Sequence, residues 1–131
     1  GRIVAITGAG RGIGREHALL LASEGANVVV NDLGGSLEGE GEDKAAAQVV
    51  VDEIKAAGGN AVGNVDNIAT VDGARSLIKT AVDTFGDLHG LVNNAGILRD
   101  HMLVNMEEQE WDSVINVHLK GHFCPTQAAA Q

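Results

Sequence analysis

Short apolar runs rich in β-branched residues alternate along the chain with longer mixed stretches. The short runs are RIVAIT (Arg2–Thr7), NVVVND (Asn27–Asp32), NAVGNVD (Asn60–Asp66) and LHGLVNN (Leu88–Asn94). A run that is apolar on both faces suits a strand covered from both sides, so these read as buried parallel strands. The longer stretches, Gly14–Ser23, Asp43–Ala57 and Thr70–Phe85, read as helices. Gly25, Gly58-Gly59 and Gly86 follow them, where a helix C-cap favours glycine. A fourth helix is predicted from Glu107 to the end, kinked at Pro125, which cannot donate to the helical ladder. The order β-α-β-α-β-α-β-α predicts an open, doubly wound α/β sheet with right-handed crossovers. GGSLEGEGED (Gly34–Asp43) is acidic and glycine-rich, and reads as an exposed loop into the second helix.

Composition narrows this picture. The 131 residues fit one domain, and the 44% apolar fraction with no long uncharged apolar run fits a soluble globular chain. No segment approaches the roughly 20 apolar residues of a membrane span, so no membrane partner is expected. The N-terminal apolar run, Ile3–Ile6, is too short for a secretory signal. Cys124 is the only cysteine, which excludes an internal disulfide and points to a reducing, cytoplasmic location. A net charge of −9 argues against a nucleic-acid partner, which would need a basic face. It leaves room for an anionic small ligand, because a local site can oppose the global charge.

The candidate chemistry begins at TGAGRGIG (Thr7–Gly14), four glycines in eight residues directly after the first strand. Gly8, Gly12 and Gly14 follow a strand and open a helix. Bare backbone there lets a dinucleotide pyrophosphate approach, and the helix N-terminus offers N–H groups and positive dipole. The spacing is G-x-x-x-G-x-G, neither the strict G-x-G-x-x-G nor a Walker pattern. Asp32 ends the second strand, where a carboxylate can accept both hydroxyls of an adenosine ribose. Arg11 pulls the other way, toward a 2′-phosphate. A second anion about 4 Å from Asp32 would cost about 4 kcal/mol, so NAD is expected over NADP. VNNAGI (Val92–Ile97) ends the fourth strand and sets Asn94 and Gly96 at the carboxyl edge, where ligands of open α/β folds bind.

In combination, TGAGRGIG, Asp32, NNAG and WDSVINVHLKG (Trp111–Gly121) resemble the short-chain dehydrogenase/reductase family over essentially the whole chain. That resemblance implies a Rossmann fold, here its N-terminal cofactor-binding half (residues 1–131), binding NAD(P) and interconverting alcohols and ketones. It implies cofactor contacts at Gly8, Gly10, Arg11, Gly12, Ile13 and Gly14, and beside ribose and nicotinamide at Asn94, Ala95 and Gly96. The step Asp66-Asn67-Ile68 matches where the family meets adenine, and which of these side chains does so stays open. VVVNDLGG, VNNAGILRD and VHLKGHF are similar to the (3R)-hydroxyacyl-CoA dehydrogenase branch of that family. The resemblance therefore implies a small-molecule substrate, an acyl-CoA, with a steroid or carbonyl reductase, or a non-catalytic nucleotide-binding fragment, as alternatives. It also implies a homo-dimer or tetramer. The family's catalytic Ser and Tyr-x-x-x-Lys are expected after residue 131, and the chain contains no tyrosine. The family's active-site Asn falls on His118, the candidate catalytic residue, with a role in a proton relay. His118 and His122 lie four apart, but no third ligand accompanies them and no metal is expected. His17, His89 and His101 read as surface or packing residues, and Cys124 as a small buried one.

Overall fold

The computed structural model describes residues 1–34 and 45–131. Its four strands are β1 (Ile3–Ile6), β2 (Asn27–Asn31), β3 (Asn60–Asn64) and β4 (Gly90–Val92). All pair in parallel, in the order β3-β2-β1-β4. They lie within the four runs expected to form strands, trimmed by one to four residues where the polar ends turn into loops. The helices are α1 (Gly12–Ser23), α2 (Ala45–Ala56) and α3 (Val71–Phe85), followed after a long connection by α4 (Glu108–Ile115) and α5 (Gly121–Ala130). Most of the acidic loop, and the expected start of α2 at Asp43, fall outside the described residues.

The alternation of strand side chains splits the core into two layers. Val28, Val30 and Ile6 turn to one face and pack under α1 and α2 with Ala18, Ala22, Val50 and Ile54. Val29, Ala5 and Ile3 turn to the other face and meet Leu77 and Ala81 of α3. Apolar side chains on both faces are what a parallel sheet needs, because its crossover helices cover both. The three C-cap glycines take left-handed backbone, with φ of 93° at Gly25, 90° at Gly58 and 91° at Gly86. At the start of α3 the Thr70 hydroxyl accepts the Gly73 N–H at 3.0 Å, a cap worth about 1 kcal/mol.

Two expectations are corrected. Helix α1 starts at Gly12, two residues before Gly14, so the last two glycines of the loop form its first turn. The fourth helix is not one helix kinked at Pro125. It runs as α4, then a π-helical segment at Asn116–Lys120, then α5, with Pro125 inside α5. The irregularity lies ahead of the proline: the Gly121 N–H reaches back to the Asn116 carbonyl, one residue further than in an α-helix. One extra residue in a turn rotates the following helix by about 100° relative to the preceding one. That rotation accompanies the burial of Gly121, Cys124 and Pro125 in α5, whereas α4 buries none of its residues fully. Pro125, with no N–H, leaves the Gly121 carbonyl without its helical donor inside α5.

Strand order places the candidate site. The chain steps outward from β1 to β2 to β3, then returns to the other side of β1 as β4. Loops leaving β1 and β4 therefore diverge at the carboxyl edge, and a crevice opens between them.

Candidate functional site

A cleft of about 380 Å³ occupies that crevice. Its walls include Gly8, Arg11 and Gly12 from the loop after β1, and Asp32 and Leu33 after β2. Asp66, Asn67 and Ile68 line it after β3, and Asn94, Ala95, Gly96 and Ile97 after β4. Residues from four separate segments, singled out by the sequence alone, thus line one cleft. Gly10, Ile13, Gly14 and His118 do not line the cleft.

The glycines act in distinct ways. Gly12 has φ of 55°, and a Cβ there would meet nothing within 4 Å, so it fronts open space where a side chain would project. Gly14 lacks such room: a Cβ would collide with the Gly8 carbonyl and the Asn94 amide. Gly10 lies against Asp32, whose Oδ2 would be 2.8 Å from an added Cβ. Gly14 and Gly10 therefore let the loop fold close to β4 and β2, while Gly12 leaves the cleft clear. Ile13 is 71% exposed and lies in the first turn of α1. That helix has extended backbone at Arg11, no side-chain cap and no acidic residue in its first turn. Its leading N–H groups have no carbonyl partner within the helix and favour an anion in front of them.

Thr7, which sequence reasoning passed over, ties the two sides of the crevice together. It is fully buried, and its hydroxyl accepts the N–H groups of Asn94 and Ala95, both at 3.0 Å. The Asn94 amide in turn donates to the Thr7 and Gly8 carbonyls, both at 3.1 Å. So the Asn94 side-chain nitrogen holds the glycine loop, its Oδ1 makes no hydrogen bond among the described residues, and Ala95 and Gly96 beside it on the cleft are small. Asn93 turns the other way and donates to Thr126 of α5 at 3.0 Å.

Asp32 is anchored through both oxygens, accepting from Gly10 N–H at 3.1 Å and Gly34 N–H at 2.9 Å. A carboxylate oxygen accepts more than one hydrogen bond, so each keeps capacity for a ligand hydroxyl. Asp66 lines the same cleft, which therefore carries two carboxylates. Asn67 folds into a turn of its own, its side-chain oxygen accepting the Ala69 N–H at 2.9 Å. Ile68 is buried against α5, where only the absence of a Cβ at Gly121 makes room for it.

His118 sits behind the wall. Its Nε2 lies 3.0 Å from the Ile97 nitrogen and 2.8 Å from the Ile97 oxygen, and its ring lies over Gly96, where a Cβ would come within 2.8 Å of Cε1. One imidazole nitrogen cannot accept and donate at once. Nε2 therefore serves either the N–H or the carbonyl of Ile97, according to tautomer. Of the remaining histidines, His89 accepts the Ile3 N–H at 2.9 Å, His101 pairs with Glu110 at 2.8 Å, and His17 is exposed. Cys124 is buried. Among the described residues no group of three His, Cys, Asp or Glu side chains is arranged to hold a metal, and no helix is long and apolar enough to cross a membrane.

A doubly wound parallel sheet with a glycine loop, a strand-end carboxylate and an NNAG edge around one crevice defines a dinucleotide-type α/β domain. The chain belongs to the short chain dehydrogenase family, which it matches over residues 2–131. It is 56% identical over 129 residues to the peroxisomal multifunctional enzyme type 2 of Drosophila melanogaster, covering 98% of this chain and 21% of that protein. It is 49% identical over 127 residues to a 3-oxoacyl-[acyl-carrier-protein] reductase of Staphylococcus aureus, covering 96% of this chain and 48% of that one. A crystal structure of a short chain dehydrogenase from Mycobacterium avium superposes with a TM-score of 0.90 at 59% identity, over 98% of this chain and 44% of that one. The chain thus spans less than half the length of these relatives.

Proposed function

We propose that this chain forms the cofactor half of an NAD-dependent oxidoreductase that interconverts a secondary alcohol and a ketone, with a 3-hydroxyacyl-CoA as substrate. The observation that carries the cofactor reading is Asp32. It stands at the end of β2 on the cleft wall, held by two backbone N–H groups, within the same cleft as the glycine loop. A bound nicotinamide dinucleotide would supply the hydride acceptor. The residues present fit such a group: open space before Gly12, uncapped N–H groups at the start of α1 for the pyrophosphate, Asp32 for the adenosine ribose, Asp66 for the adenine amino group, and small Ala95 and Gly96 beside the nicotinamide ribose. The two carboxylates at the adenosine end disfavour a 2′-phosphate. The acyl-CoA reading is supported by similarity to the peroxisomal multifunctional enzyme and to the acyl-carrier-protein reductase. In the intact protein the chain is part of a homo-dimer or tetramer.

The test is fluorescence titration of the intact protein with NADH and NADPH, followed by turnover of a panel of (3R)- and (3S)-hydroxyacyl-CoA and steroid alcohols. NADH should bind more tightly. Asp32→Asn should weaken it by about 1.5–3 kcal/mol, the scale of charge-assisted hydrogen bonds, while keeping one carboxamide oxygen for the Gly10 N–H. Equal or tighter NADPH binding by the unmutated protein overturns the cofactor reading, and turnover of steroids alone overturns the substrate reading.

A further inference from the structure

The register of β2 on β3 sets Asn31 opposite Asn64. Both are buried, at 1% and 7% exposure. An asparagine pair buried at the end of two strands is costly unless every polar group finds a partner. Here the partners converge on one residue. The Asn31 amide donates to Asn64 Oδ1 at 2.8 Å and to the Asp66 carbonyl at 3.0 Å. Asn64 Oδ1 also accepts the Asp66 N–H at 3.0 Å. The Asn64 amide donates to Asp66 Oδ2 at 2.7 Å and to the Thr80 hydroxyl at 3.1 Å. Asp66 is therefore gripped at its N–H, its carbonyl and one carboxylate oxygen. Its other oxygen, Oδ1, makes no hydrogen bond among the described residues. The Asn64 backbone carbonyl meanwhile accepts the Asp32 N–H at 3.0 Å, so one residue stands beneath both carboxylates of the cleft.

We infer that Asn31 and Asn64 are positioning residues: a buried amide pair that orients Asp66 toward the base of the dinucleotide and thereby sets recognition of its 6-amino group. The inference rests on the dinucleotide reading above. A pair needed only to hold β2 on β3 would have no reason to grip Asp66 by three groups. The Asn64 amide reaches the carboxylate as a charge-assisted donor, which fixes its rotamer and leaves Oδ1 as the available acceptor. An amino group on the base is a donor and suits that oxygen; a 6-oxo group is an acceptor and opposes it.

The experiment compares NAD with nicotinamide hypoxanthine dinucleotide, which carries oxygen in place of the 6-amino group, by calorimetry on the intact protein. The unmutated protein should prefer NAD. Asn64→Ser removes the donor to Asp66 and should weaken NAD about tenfold, the scale of one charge-assisted hydrogen bond. The hypoxanthine dinucleotide should change little, so the preference collapses. In an Asp66→Ala background, Asn64→Ser should add nothing further, since the pair acts through Asp66. Asn31→Ser should show the same pattern with a smaller loss, and carries the test if Asn64→Ser does not fold by circular dichroism. An equal loss for both dinucleotides, a loss undiminished without Asp66, or no initial preference for NAD overturns the inference while leaving the dinucleotide reading intact. Failure of the unmutated protein to bind either dinucleotide overturns that reading, and the inference with it.

Discussion

His118 shows how placement changes what a residue can do. Its position in the chain suggests a relay member, but its ring lies behind Gly96 and spends Nε2 on the Ile97 peptide. Nδ1 has no hydrogen bond among the described residues and is left for the relay role that the resemblance implies, while Nε2 supports the Ile97 peptide at the edge of the cleft. Displacing such a support by about 1 Å can cost about 10²-fold in rate. His118→Ala in the intact enzyme should lower kcat by about that factor and leave the NAD dissociation constant nearly unchanged. His118→Asn should recover most of the loss, because a carboxamide can serve the N–H and the carbonyl of Ile97 together. Steady-state rates with parallel NAD titrations check this; a kcat within about twofold of the unmutated value in His118→Ala would show that Ile97 needs no such support.

Among the elements, α4 depends on its first turn. The Glu107 N–H donates to Glu110 Oε2 at 3.0 Å. That bond is the main reason the Glu110 carboxyl titrates below its ordinary value of 4.5, with His101 and Arg99 adding to it. The lowered folded-state value sets the sign: this stabilisation is fully present above the ordinary value and is lost as pH falls through the folded one. The start of α4 should therefore fray as the pH is taken below the ordinary value of 4.5. Trp111, the only tryptophan, lies in this turn and gives a fluorescence probe. Glu110→Gln keeps the acceptor without the charge and should flatten the Trp111 signal across that window. An acid transition of the same midpoint and amplitude in Glu110→Gln would place its origin elsewhere.

In the whole molecule, the sheet buries both faces, yet α4 and the segments around it do not. Trp111 is 58% exposed, Leu119 68% and Phe123 56%. Large apolar side chains left exposed are candidates for cover by another part of the protein or by a second subunit, and the expected homo-oligomer tests the second case. The intact protein should sediment as a dimer or tetramer. Replacing Trp111 and Phe123 together by glutamate should shift it toward smaller species, since burying an unpaired charge in an apolar contact is costly. A monomer at all concentrations, before any substitution, would remove this expectation.

What the sequence determined by itself was local. Periods of apolar residues marked the strands and helices, because burial on one or both faces follows directly from side-chain direction. Glycines after helices marked their ends, and TGAGRGIG, Asp32 and NNAG marked segments that the fold gathers around one cleft. Their convergence was legible because each lies at a strand's carboxyl end, and a parallel sheet brings all such ends to one edge. Other features were decided only by the tertiary fold. That α1 starts at Gly12, and that the last helix is interrupted by a π turn ahead of Pro125, depend on packing against neighbours that propensity does not contain. Thr7 bridging to Asn94, and Asn31 paired with Asn64 beneath Asp66, join residues far apart in the chain through strand order and register. Sequence spacing carries no record of either partner, because a hydrogen bond across a sheet is decided by which strands lie side by side, and that is settled only by the tertiary fold.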